Sequence, residues 1–274
     1  MDAWERKEFL PESELKWSAW LEGFFQSGTK AGGNGDPLWV RNYQELYTRD
    51  VTCAALGPVA GQCGIDIGGG AGDYSIILTL AGTSMFCRDL DSRATREGRK
   101  RNERLGLDIK FLEGDAQVLL VEDESLDFCI SADFFEHITP DQKRTIIGEI
   151  YRVLKPGGVA VIKTPNLAYL RLSIALKRVA ALLRGKSPRI YIAHTKDNPD
   201  SEHHGLATFR QLEELFAEFH FLDPVRIPLR LRRSRLPKAL SLFLFGSWLF
   251  SEHIILRVQK SYFVPTAARL AETS

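Results

Sequence analysis

The sequence predicts an α/β fold built on a seven-stranded, mostly parallel sheet with helices on both faces. Three observations support this prediction: strand-like runs alternate with helical segments, the runs are apolar throughout, and glycine or acidic residues follow them. Continuously apolar strands are typical of a sheet that is covered on both sides. Regular alternation with helices requires right-handed crossovers, and these make neighbouring strands parallel.

The elements of this alternation can be placed in chain order. Five strands are predicted, at residues 64–67, 83–88, 109–113, 126–132 and 159–163. Helices are predicted between them, at 73–80, 92–105 and 142–154. The last helix has one apolar side and ends at Lys155-Pro156-Gly157-Gly158, because proline and glycine cannot continue it. Two final strands complete the seven, at 221–229 and 253–259.

The chain is expected to contain four segments. They are an N-terminal helical cap at 1–50, a cofactor-binding core at 51–165, a helical insertion or acceptor lid at 166–207, and a final segment at 208–274. The cap is predicted because aromatic and leucine side chains recur at helical spacing over residues 12–26. The final segment is expected to begin with a helix, since Thr208 and Gln211 form a capping box, and to add the last strands to the sheet.

Composition narrows the possible function classes. The formal net charge of +1 gives no electrostatic case for binding nucleic acid. The most apolar run, residues 239–250, is shorter than the roughly 20 residues that cross a bilayer, and residues 1–10 show no secretory signal. Four cysteines lack metal-binding spacing and are expected to be buried thiols: Cys53, Cys63, Cys87 and Cys129. We expect a cytoplasmic protein that is a monomer or a homodimer.

A glycine-rich loop follows the first predicted strand. Gly68, Gly70 and Gly72 allow a sharp turn and close approach to a ligand, and Asp89 ends the second strand, where an acid can hold ribose hydroxyls. A dinucleotide site has the spacing G-x-G-x-x-G, whereas Asp73 here takes the place of the last glycine. A carboxylate there would repel a pyrophosphate and suit a ligand with a positive amino or sulfonium group. Glycine spacing alone leaves a dinucleotide, another cofactor and a plain structural turn open.

The segment 64–72, GIDIGGGAG, resembles motif I of the class I S-adenosylmethionine-dependent methyltransferases. Further family motifs follow in order, at 89–92, 113–116, 126–131, 134–138 and 151–158. The likeness covers about residues 63–166, and the combination is similar to the methyltransferase type 11 or UbiG-like group. It implies a Rossmann-like sheet and S-adenosyl-L-methionine as the cofactor.

The resemblance also implies a cofactor site at the carboxyl ends of the strands. Its expected members are Asp66, Gly68, Gly70, Gly72, Asp89, Leu90, Asp115, Ala116 and Ser131. Asp89 is expected to hold both ribose hydroxyls, and Asp91 competes with it for this role. Asp115 is expected to meet the adenine amino group, and Ser131 to lie near the sulfonium.

The predicted activity is in-line methyl transfer to a small-molecule acceptor, with O-methylation of a sugar, phenol or natural-product intermediate preferred. A base would help to remove the acceptor proton. The candidates are His203, His137 and His204, and His194 is a further candidate. The alternatives are a non-catalytic cofactor-binding partner, methylation of a lipid-linked acceptor at a membrane surface, and a nucleotide-dependent oxidoreductase, which Asp73 disfavours.

Two further clusters have competing interpretations. Asp133, Glu136 and His137, with His203 or His204, resemble the ligands of metal-dependent O-methyltransferases, but Glu-His-Ile is also common in metal-free members, so no metal is predicted. A basic cluster comprises Arg226, Arg230, Arg232, Arg233, Arg235 and Lys238. A solvated loop is the preferred interpretation of that cluster, and peripheral contact with anionic lipid is the alternative.

Overall fold

The computed structural model describes residues 43–188, 205–228 and 251–262. The helices are α1 (Tyr43–Ala54), α2 (Asp73–Leu80), α3 (Ser92–Leu105), α4 (Pro140–Val153), α5 (Leu167–Leu183) and α6 (Phe209–Leu215). The strands are β1 (Cys63–Ile67), β2 (Ser84–Asp89), β3 (Ile109–Glu113), β4 (Leu126–Ala132), β5 (Leu154–Pro165), β6 (His220–Phe221), β7 (Val225–Pro228) and β8 (Ser251–Gln259). A short 3₁₀ turn spans Phe135–His137.

The strands form one sheet in the order β3-β2-β1-β4-β5-β8-β6, with β7 also paired to β8. Strands β1 to β5 are parallel, and β8 runs antiparallel to β5. The predicted α/β class and mostly parallel, Rossmann-like sheet are thus confirmed. The chain order reverses between β1 and β4, and ligands of open α/β sheets bind in the crevice at such a point.

Two apolar clusters cover the two faces of the sheet. One joins α1 and α2 to the sheet through residues such as Val51 and Ile77, and the other joins α4 and α6 through residues such as Ile150 and Leu212. Alternate residues of one strand enter opposite clusters, as Phe128 and Cys129 do. This burial on both sides explains why the central strands are apolar throughout.

The last strands differ in detail from the prediction. The strand expected at 221–229 is broken into β6 and β7, which pair with successive parts of β8 and so fill one position in the sheet. Pro224 lies in the break, where its missing N–H prevents continuous pairing. The turn predicted at 155–158 is an irregularity in the first part of β5, where its pairing with β4 shifts register and Gly157 has a φ of 82°.

The boundary expected at residue 50 falls inside α1. Val51, Cys53 and Ala54 on this helix are buried against α2 and β2, so its second half belongs to the core. The helix predicted at 12–26, most of the basic cluster and the apolar run 239–250 lie outside the described residues. All four cysteines are free. Cys53, Cys87 and Cys129 are buried as predicted, and burial raises their pKa, whereas Cys63 is only partly buried.

Candidate functional site

Two cavities lie at the carboxyl edge of the sheet, beside the loops that follow β1 and β4. The larger has a volume of about 670 Å³ and the smaller about 140 Å³. Among the described residues, Gly68 alone lines both. The glycine loop therefore forms the partition between two adjoining chambers.

The glycines of this loop have different tasks. Gly68, at φ 69°, lies so close to Phe134 that a Cβ would stand 2.3 Å from its ring. Gly70, at φ 55°, has no heavy atom within 4 Å of that position, so its surface is open to a ligand. Gly72 precedes α2 and packs on Phe111, and it lines neither cavity. Gly72 therefore shapes the start of the helix and is set back from the expected cofactor contacts.

Asp89 connects the glycine loop to the end of β2. Its Oδ2 accepts a hydrogen bond from the Gly70 amide at 2.7 Å, and its Oδ1 accepts one from the Asp91 amide at 2.8 Å. Each carboxylate oxygen retains a further lone pair, so two ribose hydroxyls can still be bound. Asp91 instead caps α3 by accepting from the Arg93 amide at 2.8 Å. This geometry favours Asp89 over Asp91 for the ribose role.

The smaller cavity brings together Asp89, Leu90, Asp115 and Ala116, four of the residues expected to bind the cofactor. Leu90 is 72% exposed, which leaves an apolar surface free for a flat ring. The Asp115 carboxylate accepts hydrogen bonds from the backbone and side-chain nitrogens of Gln117 at 2.9 and 2.8 Å. An apolar slot with two carboxylates fits the adenine and ribose of a nucleoside.

Buried Arg88 supports this slot and was not among the predicted site residues. Its guanidinium donates hydrogen bonds of 3.0 to 3.3 Å to the carbonyls of Glu113, Asp115 and Val118. These bonds hold the loop after β3 in place. An arginine within an apolar strand is the signal that could have pointed to this role.

Asp66 lies at the base of the larger cavity and is 1% exposed. Its Oδ2 accepts from the backbone and hydroxyl of Ser75 at 3.3 and 3.0 Å, whereas its buried Oδ1 has no hydrogen-bond partner in the described part of the chain. Burial raises the pKa of this carboxyl to about 7, although the Ser75 hydrogen bonds oppose the rise. An orphaned buried acceptor of this kind fits an ammonium group such as that of S-adenosylmethionine.

Asp73 and Ser131 both bind groups within the protein, although Asp73 also lines the larger cavity. The Asp73 carboxylate is bridged by Arg49 at 2.7 Å and by Arg101 at 2.9 Å, so two guanidinium groups offset its charge. The Ser131 hydroxyl donates to the Ile67 carbonyl at 2.8 Å, is fully buried and lines neither cavity. Its neighbour Ala132 forms the cavity wall instead.

The far wall of the larger cavity contains Asp133, Lys163, Glu252 and His253. Lys163, nearly buried, pairs with Asp133, whose backbone has a φ of 55°. His253 Nδ1 is buried and has no hydrogen-bond partner among residues 43–188, 205–228 and 251–262. Burial, reinforced by the charge of Lys163 and opposed by Asp133, lowers the pKa of His253 to about 4. Its imidazole is therefore neutral at physiological pH, and the residue lines the cavity.

The histidines proposed as bases are placed differently. His137 is exposed on the 3₁₀ turn and lines neither cavity, whereas His203 and His204 lie outside the described residues. Glu136 is buried and accepts from the Thr164 hydroxyl at 3.0 Å. No group of three or more acidic, histidine or cysteine side chains in the described residues is arranged to hold a metal ion.

Comparison with known proteins adds independent information. Residues 65–158 match the family model described as a methyltransferase domain. The ubiquinone/menaquinone biosynthesis C-methyltransferase UbiE of Marinomonas sp. is 31% identical over 44% of this chain and 46% of its own length. The demethylmenaquinone methyltransferase of Clavibacter sepedonicus is 29% identical over 53% and 56%. This chain thus spans about half the length of the curated relatives it matches.

Solved structures share the fold at lower sequence identity. The PH0226 protein of Pyrococcus horikoshii superposes with a TM-score of 0.56 at 17% identity, over 87% of this chain and 98% of that protein. A geranyl diphosphate methyltransferase solved with S-adenosylmethionine gives a TM-score of 0.54 at 16% identity, over 80% and 86%.

Proposed function

We propose that this chain methylates a small-molecule acceptor with an acidic hydroxyl, of phenol or quinol type. Its core is similar to the class I S-adenosylmethionine-dependent methyltransferases. The observation that carries the proposal is the pair of cavities that meet at Gly68. One cavity has the side chains that suit a nucleoside, and the other is lined by a neutral imidazole whose Nδ1 has no hydrogen-bond partner in the described residues.

The residues of the loop ends divide the binding of the cofactor among them. Asp89 would bind the ribose hydroxyls, Leu90 and Asp115 the adenine, and Asp66 the ammonium of the methionine part. The cofactor, when bound, supplies an electrophilic methyl group on a sulfonium. The protein then contributes mainly proximity and alignment, because methyl transfer is a direct displacement.

His253 is the proposed proton acceptor on the acceptor side. A ring nitrogen of its neutral imidazole would accept a hydrogen bond from an acceptor hydroxyl and take up the proton as that oxygen becomes nucleophilic. Lys163, on the same wall, would stabilise the negative charge that develops on the oxygen. Because burial leaves His253 a weak base, an acidic phenol suits it better than a sugar alcohol.

O-methylation is the first form of this proposal, and C-methylation of a ring carbon beside the ionised oxygen is the second. The second form is favoured by the names of relatives, which include C-methyltransferases of quinone biosynthesis. Both forms need the same ionised hydroxyl, so the same wall residues would serve either. Mass spectrometry of the methylated product distinguishes an ether from a ring methyl group.

The test has two arms. S-adenosylhomocysteine should raise the melting temperature of the full chain and NAD should not, because a ligand that binds only the folded state stabilises it. Methyl-labelled S-adenosylmethionine should then transfer label to hydroxylated aromatic and quinol acceptors. Stabilisation by S-adenosylhomocysteine without turnover of any acceptor would support a non-catalytic partner protein. Stabilisation by NAD alone would overturn the assignment.

A further inference from the structure

Helix α5 carries an apolar surface that points away from the protein. Four large aliphatic side chains on it are 56% to 84% exposed. They are Leu176, Val179, Leu182 and Leu183, here called the outer face of α5. Single exposed leucines are common on protein surfaces, but a contiguous group of this kind marks a contact surface.

The outer face follows from the helical geometry of the segment. At about 100° per residue, its four members fall within about 120° of arc. The opposite side of α5 packs inward through Leu167 and Ala181, both buried. The helix is therefore anchored on one side by the core and apolar on the other, and its apolar residues are not all used for folding.

Charge surrounds the outer face with a single sign. Residues 167–188 contain five basic side chains and no acidic one. The basic residues are all exposed: Arg171, Lys177, Arg178, Arg184 and Lys186. At about 100° per residue, Arg171 and Arg178 fall within about 40° of one edge of the outer face. An apolar strip with basic residues beside it is the pattern of a helix that lies in the interface of an anionic membrane. A second copy of this chain is a poorer occupant, because the two sets of five cations would repel each other.

The start of α5 is attached to the wall of the larger cavity. Asn166 caps the helix by accepting from the Ala168 amide at 3.1 Å, and its side-chain nitrogen donates to the Ser251 carbonyl at 2.9 Å. Ser251 precedes Glu252 and His253, which line the cavity. No helix in the described residues is long and apolar enough to cross a membrane.

We propose that the outer face of α5 and its basic residues dock the protein onto the surface of an anionic phospholipid membrane. The docking itself needs neither cofactor nor turnover, so it can be tested apart from the proposed activity.

The experiment is flotation of the full chain with phosphatidylcholine vesicles, with and without phosphatidylglycerol. Binding should require phosphatidylglycerol. The variant L176Q/V179Q/L183Q should bind more than about a hundredfold more weakly, and R171Q/R178Q should lose about fivefold for each charge removed. The matched control L120Q/R210Q changes one exposed leucine and one exposed arginine outside α5, and should bind as the parent does. Circular dichroism and thermal denaturation verify that each variant is folded.

Three outcomes would overturn the proposal. The first is binding that does not depend on phosphatidylglycerol or is equal in parent and leucine variant. The second is a loss in the basic variant alone, which would show that charge, without the outer face, accounts for the binding. The third is a dimer in solution that the leucine variant dissociates, which would assign the outer face to a second copy.

Discussion

Replacing Asp66 by asparagine should make the protein more stable at neutral pH and less able to bind its cofactor. In the folded protein burial raises the pKa of Asp66 from 3.8 to about 7. The folded state therefore binds the proton more tightly than the unfolded chain does. The stabilisation from this proton is complete below about pH 4 and is lost as the pH rises to about 7. Asparagine mimics the protonated form and does not titrate.

The magnitude follows from the two pKa values. At about 1.4 kcal/mol for each factor of ten, keeping the Asp66 carboxylate ionised costs about 4 kcal/mol above pH 7. The side chain is 1% exposed, so solvent does not screen this cost. Between about pH 5 and about pH 8, the stability difference between D66N and the parent should shift by about 3 kcal/mol in favour of D66N.

Urea denaturation at several pH values measures this difference directly. D108N, which changes an exposed aspartate, is the matched control for the exchange of carboxylate for amide. S-adenosylhomocysteine should bind D66N about tenfold more weakly, because a charged hydrogen bond to the ammonium is lost. A stability difference that is constant with pH would refute the inference that Asp66 titrates near neutrality. Unchanged ligand affinity would refute its assignment to the ammonium.

Two further predictions concern the walls of the cavities. H253N keeps an acceptor oxygen but cannot take up a proton, so kcat should fall about 100-fold with little change in KM for the cofactor. The control H220N changes an exposed histidine and should behave as the parent does in the same turnover assay. G68A should lose about 2 kcal/mol of stability and most of its affinity for S-adenosylhomocysteine, because its Cβ would meet Phe134 at a φ of 69°. G106A, at a similar φ with open space around it, should lose less stability and retain the affinity. Urea denaturation measures both variants, and equal losses of stability in the two would contradict the contact with Phe134.

The sequence was most informative where the site is built from local segments. Gly68, Asp89 and Asp115 each follow a strand directly, and parallel strands bring their carboxyl ends to one edge of a sheet. Their convergence on two adjoining cavities could therefore be expected from order alone. The alternation of strands and helices determined the sheet for the same reason, since each crossover has one favoured hand.

Long-range pairing is the part that local patterns could not supply. Asp73 was predicted to repel a pyrophosphate and to suit a positively charged ligand. Arg49 and Arg101, which lie 24 and 28 residues from it, pair with its carboxylate only in the folded chain. His253 was overlooked because it begins a strand and does not follow one. Its strand is antiparallel to β5, with His253 opposite Pro165, so the amino end of that strand lies at the functional edge.

The position of Gly68 between the two chambers also suggests how the protein could be inhibited. The partition at this point is a residue without a side chain, and the Gly70 amide beside it is fixed by Asp89. A bisubstrate compound that links an adenosine-like head to a phenolic tail would pass only this residue to occupy both chambers. Because the two halves are linked, binding of the second half would not cost the translational and rotational entropy that a separate molecule loses.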